Sequence, residues 1–186
     1  FKGVDDDGLF RWHAAFFERL KGRAREVFVY HIPSQSATPI STGLVGRLRQ
    51  AFPGIIAGVK DSSADWATQA AFLKDHGDLA ILVGDETLLA RSVREGGEGS
   101  ICGVSNIVPG WLRPLVYAGE EDARVNALVK AIVSMPIMSA VKALAAHVHG
   151  AGAEFTGMRA PLPQLTAEQS ARLVAAYEAI AGGKAA

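Results

Sequence analysis

Four short apolar runs, each closed by a polar or glycine-containing turn, constrain this chain more than any other feature. They are Val27-Phe28-Val29-Tyr30-His31-Ile32, Ile55-Ile56-Ala57-Gly58-Val59, Leu79-Ala80-Ile81-Leu82-Val83 and the thinner Gly99-Ser100-Ile101-Cys102-Gly103. None alternates apolar with polar residues, so each reads as a strand buried on both faces. Helical patterns separate them. One carries Leu44, Val45, Leu48 and Phe52 after a cap at Ser41 or Thr42, another runs from about Asp65 to His76, and a third leads to Gly96-Gly97. Strands alternating with helices predict parallel pairing through right-handed crossovers.

The chain opens with a helix started by Asp5, Asp6 and Asp7 and carrying Leu9, Phe10, Trp12, His13, Phe16, Phe17 and Leu20. Acidic residues suit a helix N-terminus, and Lys21-Gly22-Arg23 ends it. His13 reads as a packing residue. Residues 34–40 read as a loop after the stop at Pro33. From Pro109 onward the pattern is helical, over roughly 110–118, 120–134, 136–149 and 166–181, with Thr166 and Gln169 spaced as a capping box. His147 and His149 are two apart and point to different faces of a helix, so no metal site is expected.

The second strand runs straight into Lys60-Asp61-Ser62-Ser63. In β/α folds, ligands and catalytic groups gather at the carboxyl ends of the strands. A partly desolvated lysine there can attack a carbonyl as the free amine and form a Schiff base. The same lysine could equally leave the sheet and snorkel to water. The other strand ends offer Tyr30, Gly84-Asp85 and Gly103-Val104-Ser105. Tyrosine can shuttle the protons that lysine–carbonyl chemistry moves, and a strand-end glycine lets a small substrate approach backbone N–H groups. Each has a plain alternative as a rim residue or turn. Tyr30 and Lys60, at equivalent ends of consecutive strands, are more persuasive together than either alone.

Nineteen basic and nineteen acidic residues cancel, which points to neither a nucleic-acid nor a membrane partner. The lone cysteine, Cys102, excludes an internal disulfide framework. Together with an opening Phe1-Lys2-Gly3 that does not read as a signal peptide, it sets the expectation of a cytoplasmic protein.

Tyr30-His31-Ile32-Pro33, Gly58-Val59-Lys60-Asp61-Ser62-Ser63, Gly84-Asp85-Glu86 and Gly99-Ser100-Ile101-Cys102-Gly103-Val104-Ser105-Asn106 resemble, in order and spacing, successive motifs of the dihydrodipicolinate synthase/N-acetylneuraminate lyase family. Arg159-Ala160-Pro161-Leu162-Pro163 in the helical tail matches as well. The resemblance implies a (β/α)8 TIM barrel with a C-terminal helical extension, commonly a homotetramer of tight dimers. It aligns Lys60 with the lysine that forms a Schiff base with pyruvate or another 2-oxo acid, Tyr30 with the proton-relaying tyrosine, and Gly84 and Ile101 with residues lining the pyruvate pocket. Three departures stand out. The family's Gly-Thr-Thr-Gly-Glu-like motif, which holds the pyruvate carboxylate, is absent. Gln35 stands where synthases carry an arginine that clamps the second substrate's carboxylate bidentately, and glutamine cannot reproduce that clamp. Phe1 falls near a position where synthases place a relay tyrosine.

The expected fold is therefore the later half of a β/α barrel, about four parallel strands, with residues 1–108 as barrel and 109–186 as the last barrel helix and extension. A complete barrel takes about 250 residues, so we expect an N-terminal segment or a second chain to complete this one. The competing class, an open doubly wound sheet binding a nucleotide, lacks a glycine-rich phosphate loop here. The expected activity is that of a Schiff-base-forming lyase or aldolase without cofactor or metal. It would act on a pyruvate-like 2-oxo acid and an aldehyde, with Lys60 and Tyr30 catalytic and Gln35, Gly84, Ile101 and Gly103 binding substrate, in a homo-oligomer (dimer or tetramer). The alternatives are a non-catalytic 2-oxo-acid-binding barrel and a true dihydrodipicolinate synthase.

Overall fold

A computed structural model describes residues 3–20 and 22–183. The chain divides into two compact units, one ending at Ile101 and one beginning at Cys102. The first unit contains α1 (Asp6–Arg19), β1 (Val27–His31), α2 (Pro33–Ser36), α3 (Thr42–Ala51), β2 (Ile56–Asp61), α4 (Trp66–His76), β3 (Ala80–Val83), α5 (Leu89–Arg94) and β4 (Gly99–Ser100). Its four strands form one parallel sheet in the order β1-β2-β3-β4. Consecutive strands are thus neighbours, as short right-handed crossovers require.

Alternation along each strand sorts the side chains onto two faces. Val29, Val59 and Ile81 are paired across the sheet and almost fully buried. They form the core with Leu44, Val45 and Leu48 of α3, Phe72 of α4 and Phe17 of α1. The opposite face carries Phe28, Tyr30 and Lys60. A side chain on Gly58 would bring its Cβ to 2.2 Å from the Phe28 ring and 2.4 Å from the Ala80 carbonyl, so this strand position takes only glycine.

Local capping agrees with the sequence. The Asp5 carboxylate accepts from the Gly8 N–H at 2.8 Å, Ser41 Oγ accepts from the Leu44 N–H at 2.9 Å, and Asp65 Oδ2 accepts from the Thr68 N–H at 2.9 Å. The helix expected to begin near Asp65 therefore starts with that residue as its cap. Ser41 Oγ also donates to Asp6, and Arg47 pairs with Asp7 at 2.7 Å, which fastens α1 to α3.

Two elements differ from the expected ones. Residues 33–36, read as loop, form the single helical turn α2: Pro33 supplies the pre-set φ of a first helical position, and Ala37 closes the turn at φ 52° by donating to the Pro33 carbonyl at 2.9 Å. β4 spans only Gly99 and Ser100 rather than reaching residue 103. Its partner β3 ends at Val83, whose carbonyl accepts the Ile101 N–H at 3.3 Å, and the pairing of β3 with β4 stops at Val83 and Ser100.

The second unit is helical: α6 (Pro109–Ala118), α7 (Ala123–Val133), α8 (Ile137–His149) and α9 (Ala167–Ala181). Its core gathers Leu115, Val125, Leu128, Ile132, Leu144 and Leu173, all at most 3% exposed. Asp122 caps α7, which delays that helix to Ala123, and Thr166 and Gln169 form the reciprocal capping box. Among the described residues no helix is long and apolar enough to cross a membrane.

Candidate active site at the carboxyl ends of the strands

Tyr30 and Lys60 are direct partners in the β1–β2 ladder, on adjacent parallel strands. Parallel register puts both side chains on the face turned away from the helices, and Lys60 Nζ lies 4.1 Å from the centroid of the Tyr30 ring. At this range the ring's negative face attracts the ammonium. Tyr30 is 45% exposed.

A third residue joins them. Ser62 Oγ donates to the Tyr30 hydroxyl at 3.3 Å, and the Ser62 N–H donates to the His31 carbonyl at 2.8 Å. The Ser62 side chain lies over Gly84, where a Cβ would come within 1.9 Å of Ser62 Oγ. Gly84 is thus the space that lets Ser62 reach Tyr30. Ile101 follows β4 and is 52% exposed, held by its N–H to Val83 at 3.3 Å. Gln35 sits in α2, immediately after β1, with its side chain exposed and its N–H donating to Ile32 at 3.1 Å. Gly103 belongs to the second unit. Its carbonyl accepts from the Asn106 N–H at 3.1 Å and from Asn106 Nδ2 at 3.2 Å, and Val141 lies 3.0 Å from where its Cβ would be. Phe1 lies outside the described residues. The structure therefore brings Lys60 to Tyr30 across the ladder and Gly84 to Tyr30 through Ser62.

One residue beyond Tyr30 and Lys60, the ladder pairs His31 with Asp61, and alternation turns both toward the helices. His31 is 4% exposed and Asp61 1%. His31 Nδ1 accepts the Ile40 N–H at 2.8 Å, which leaves the ring proton on Nε2, 4.0 Å from Asp61 Oδ1. Asp61 also accepts from the Ser63 N–H at 2.9 Å and from Ser63 Oγ at 3.0 Å. Burial pushes the His31 pKa down, and the Asp61 charge opposes this only in part. Burial likewise pushes the Asp61 carboxyl up, against the Ser63 hydrogen bonds and the His31 charge. The pair lies at the ends of β1 and β2, directly behind Tyr30 and Lys60. Neither it nor Ser62 was picked out from sequence, although His31 and Asp61 follow Tyr30 and Lys60 at the same offset.

A groove of about 610 Å³ runs along the helix side, lined by His31, Ile40, Ser41, Ser63, Thr68 and Phe72 among others. Neither Tyr30 nor Lys60 lines it, so it is separate from the lysine face. Among the described residues no group of three or more His, Cys, Asp or Glu could hold a metal ion.

Residues 13–180 match the dihydrodipicolinate synthetase family. The chain is 30% identical to an uncharacterized DapA-like lyase of Chloroflexus aurantiacus, with 98% of this chain and 62% of the relative covered. It is similar to the crystal structure of dihydrodipicolinate synthase from Agrobacterium tumefaciens at 44% identity and a TM-score of 0.92, over 97% of this chain and 62% of that one. A variant of 2-keto-3-deoxygluconate aldolase from Sulfolobus solfataricus superposes with a TM-score of 0.82 at 17% identity, over 98% of this chain and 62% of that one, a likeness of fold. The chain thus spans about three fifths of the length of these relatives. Its four strand–helix units are the later part of a (β/α)8 barrel.

Proposed function

This chain belongs to the dihydrodipicolinate synthetase family, and on that premise we propose that it carries the lysine and tyrosine of a class I aldolase or lyase acting on pyruvate or a related 2-oxo acid. The observation that supports this most is the pairing of Tyr30 and Lys60, with Nζ 4.1 Å from the ring centroid at the carboxyl edge of the sheet. The free amine of Lys60 attacks the keto carbon to give a carbinolamine, which loses water to become an iminium. The iminium is an electron sink. Loss of a proton from the adjacent carbon, or cleavage of the bond from that carbon to the one beyond with release of an aldehyde, leaves an enamine, and the reverse of the cleavage adds an aldehyde. Tyr30 carries the protons in both directions.

Gly84 and Ile101 line the pocket for the 2-oxo acid, main chain near Gly103 helps to hold the substrate, and Gln35 meets the polar tail of the second substrate. A neutral amide at that place disfavours a second carboxylate, which argues against a true dihydrodipicolinate synthase. Residues 1–108 serve as barrel and 109–186 as its last helix and extension, in a cytoplasmic homo-oligomer.

The test is proton exchange, which needs no second substrate. The protein is incubated with pyruvate in D2O, and the methyl signal is followed by NMR. Deuterium incorporation should be abolished in Lys60→Ala and slowed roughly 10²-fold or more in Tyr30→Phe. Binding of pyruvate without exchange would leave a non-catalytic 2-oxo-acid-binding barrel in its place.

A further inference from the structure

The segment after β1 carries Gln35 and has mostly local bonds of its own. Ser36 N–H and Oγ both donate to the Ile32 carbonyl at 3.0 Å, Thr38 Oγ1 donates to the Ser36 carbonyl at 3.1 Å, and Ala37 holds a left-handed φ of 52° without being glycine. One bond ties the far end of the segment to its start. The Ile40 N–H donates to His31 Nδ1 at 2.8 Å, nine residues back, inside the protein. His31 ends the strand that carries Tyr30. Its ring is set edge-on against Phe72, with centroids 5.8 Å apart, and its other nitrogen faces Asp61.

We propose that His31 is a positioning residue for the second substrate. It latches the 32–41 segment, and with it Gln35, while Nδ1 is unprotonated, and releases the segment when the ring takes up a second proton. An imidazolium has donors on both nitrogens. Nδ1–H would then point at the Ile40 N–H, and a buried backbone donor would lose its acceptor. The charged group that faces the ring is Asp61 on β2, 4.0 Å away; Asp65 at the cap of α4 acts on Asp61, and Asp6 reaches the segment's end through Ser41. The Asp61 charge favours the imidazolium, while burial opposes it and is the larger effect. The latch is therefore closed at neutral pH and opens below the ordinary imidazole range of about 6.5. The groove beside α3 and α4, which His31 and Pro39 help to line, gives the released segment access to water.

The consequence for substrate rests on the proposed function, whereas the latch itself does not, and the experiment separates them. Amide hydrogen exchange of the peptide spanning Ile32 to Ser41, corrected for intrinsic rates, is measured from pH 7.5 to 5. Protection should fall at least tenfold on acidification in the native protein. It should stay nearly flat in His31→Asn, whose side-chain oxygen can accept from Ile40 but does not titrate, and be low at every pH in His31→Leu. In parallel, KM for D-glyceraldehyde as the probe aldehyde should rise several-fold on the same limb in the native protein but not in His31→Asn, while pyruvate methyl exchange should follow the same pH profile in both. Equal pH dependence in native and His31→Asn proteins overturns the latch. No pyruvate exchange in a protein whose latch titrates as described overturns the catalytic proposal alone.

Discussion

Lys60 stands directly across the parallel ladder from Tyr30, its ammonium 4.1 Å from the ring centroid, while the next pair along, His31 and Asp61, faces the other way into the core. Two strands thus present a reactive pair on one face and a buried pair on the other.

Gly84→Ala places a Cβ where Ser62 Oγ lies, at 1.9 Å, so the serine must swing away from Tyr30. The expected result is a loss of about 1–3 kcal/mol in chemical denaturation, together with slower pyruvate exchange. Adding Ser62→Ala removes the clashing hydroxyl and should recover part of the stability without restoring the exchange rate. An additive double variant would contradict the contact.

Stability against pH follows from His31. Its folded-state pKa is below 6.5, so between that lowered value and 6.5 the unfolded chain binds more protons than the folded one. The stabilisation is present above 6.5 and is lost as pH falls through the lowered value. Asp61 has the opposite sign. Its carboxyl is raised above 3.8, so its contribution is full below 3.8 and is lost as pH rises through the raised value. Urea midpoints are taken from pH 7.5 to 5 in the native protein and in His31→Asn, and their difference, which largely removes the Asp61 contribution, should shrink as pH falls below 6.5. A difference that stays constant across the range would contradict the burial assigned to the ring.

Gln35 is exposed on α2 and carries no charge. On the proposed chemistry, Gln35→Arg should lower KM for an aldehyde bearing a carboxylate by roughly tenfold, in line with a charge-assisted hydrogen bond of about 1.5–3 kcal/mol discounted for exposure. Neutral aldehydes should gain nothing from the arginine, and pyruvate exchange should not change. A uniform change across aldehydes would place Gln35 away from the second substrate.

The strands were legible because runs such as Ile55–Val59 stay apolar without alternation, as strands of a parallel sheet buried on both faces do. Ser41, Asp65 and Thr166 could be read as caps because their chemistry is local. α2 was hidden because a four-residue turn has no periodicity, and Pro33 reads equally well as the end of a strand. β4 was overextended because its length is set by where β3 stops, which is a property of the partner strand. Tyr30 and Lys60 drew attention for their chemistry. His31 and Asp61, one step further along, did not, since their meaning comes from the ladder that faces them at each other. Ser62 looked like turn material until Gly84 was seen to leave room for its hydroxyl.

The most direct measurement is reductive trapping. The protein is mixed with pyruvate and borohydride, digested, and its peptides weighed. A permanent adduct is expected on the peptide containing Lys60, absent in Lys60→Ala and still present in Tyr30→Phe at a slower rate, since the phenyl ring keeps the amine's neighbour in place but carries no proton. An adduct on a different lysine, or none with pyruvate or any other 2-oxo acid in a folded protein, would contradict the role given to Lys60.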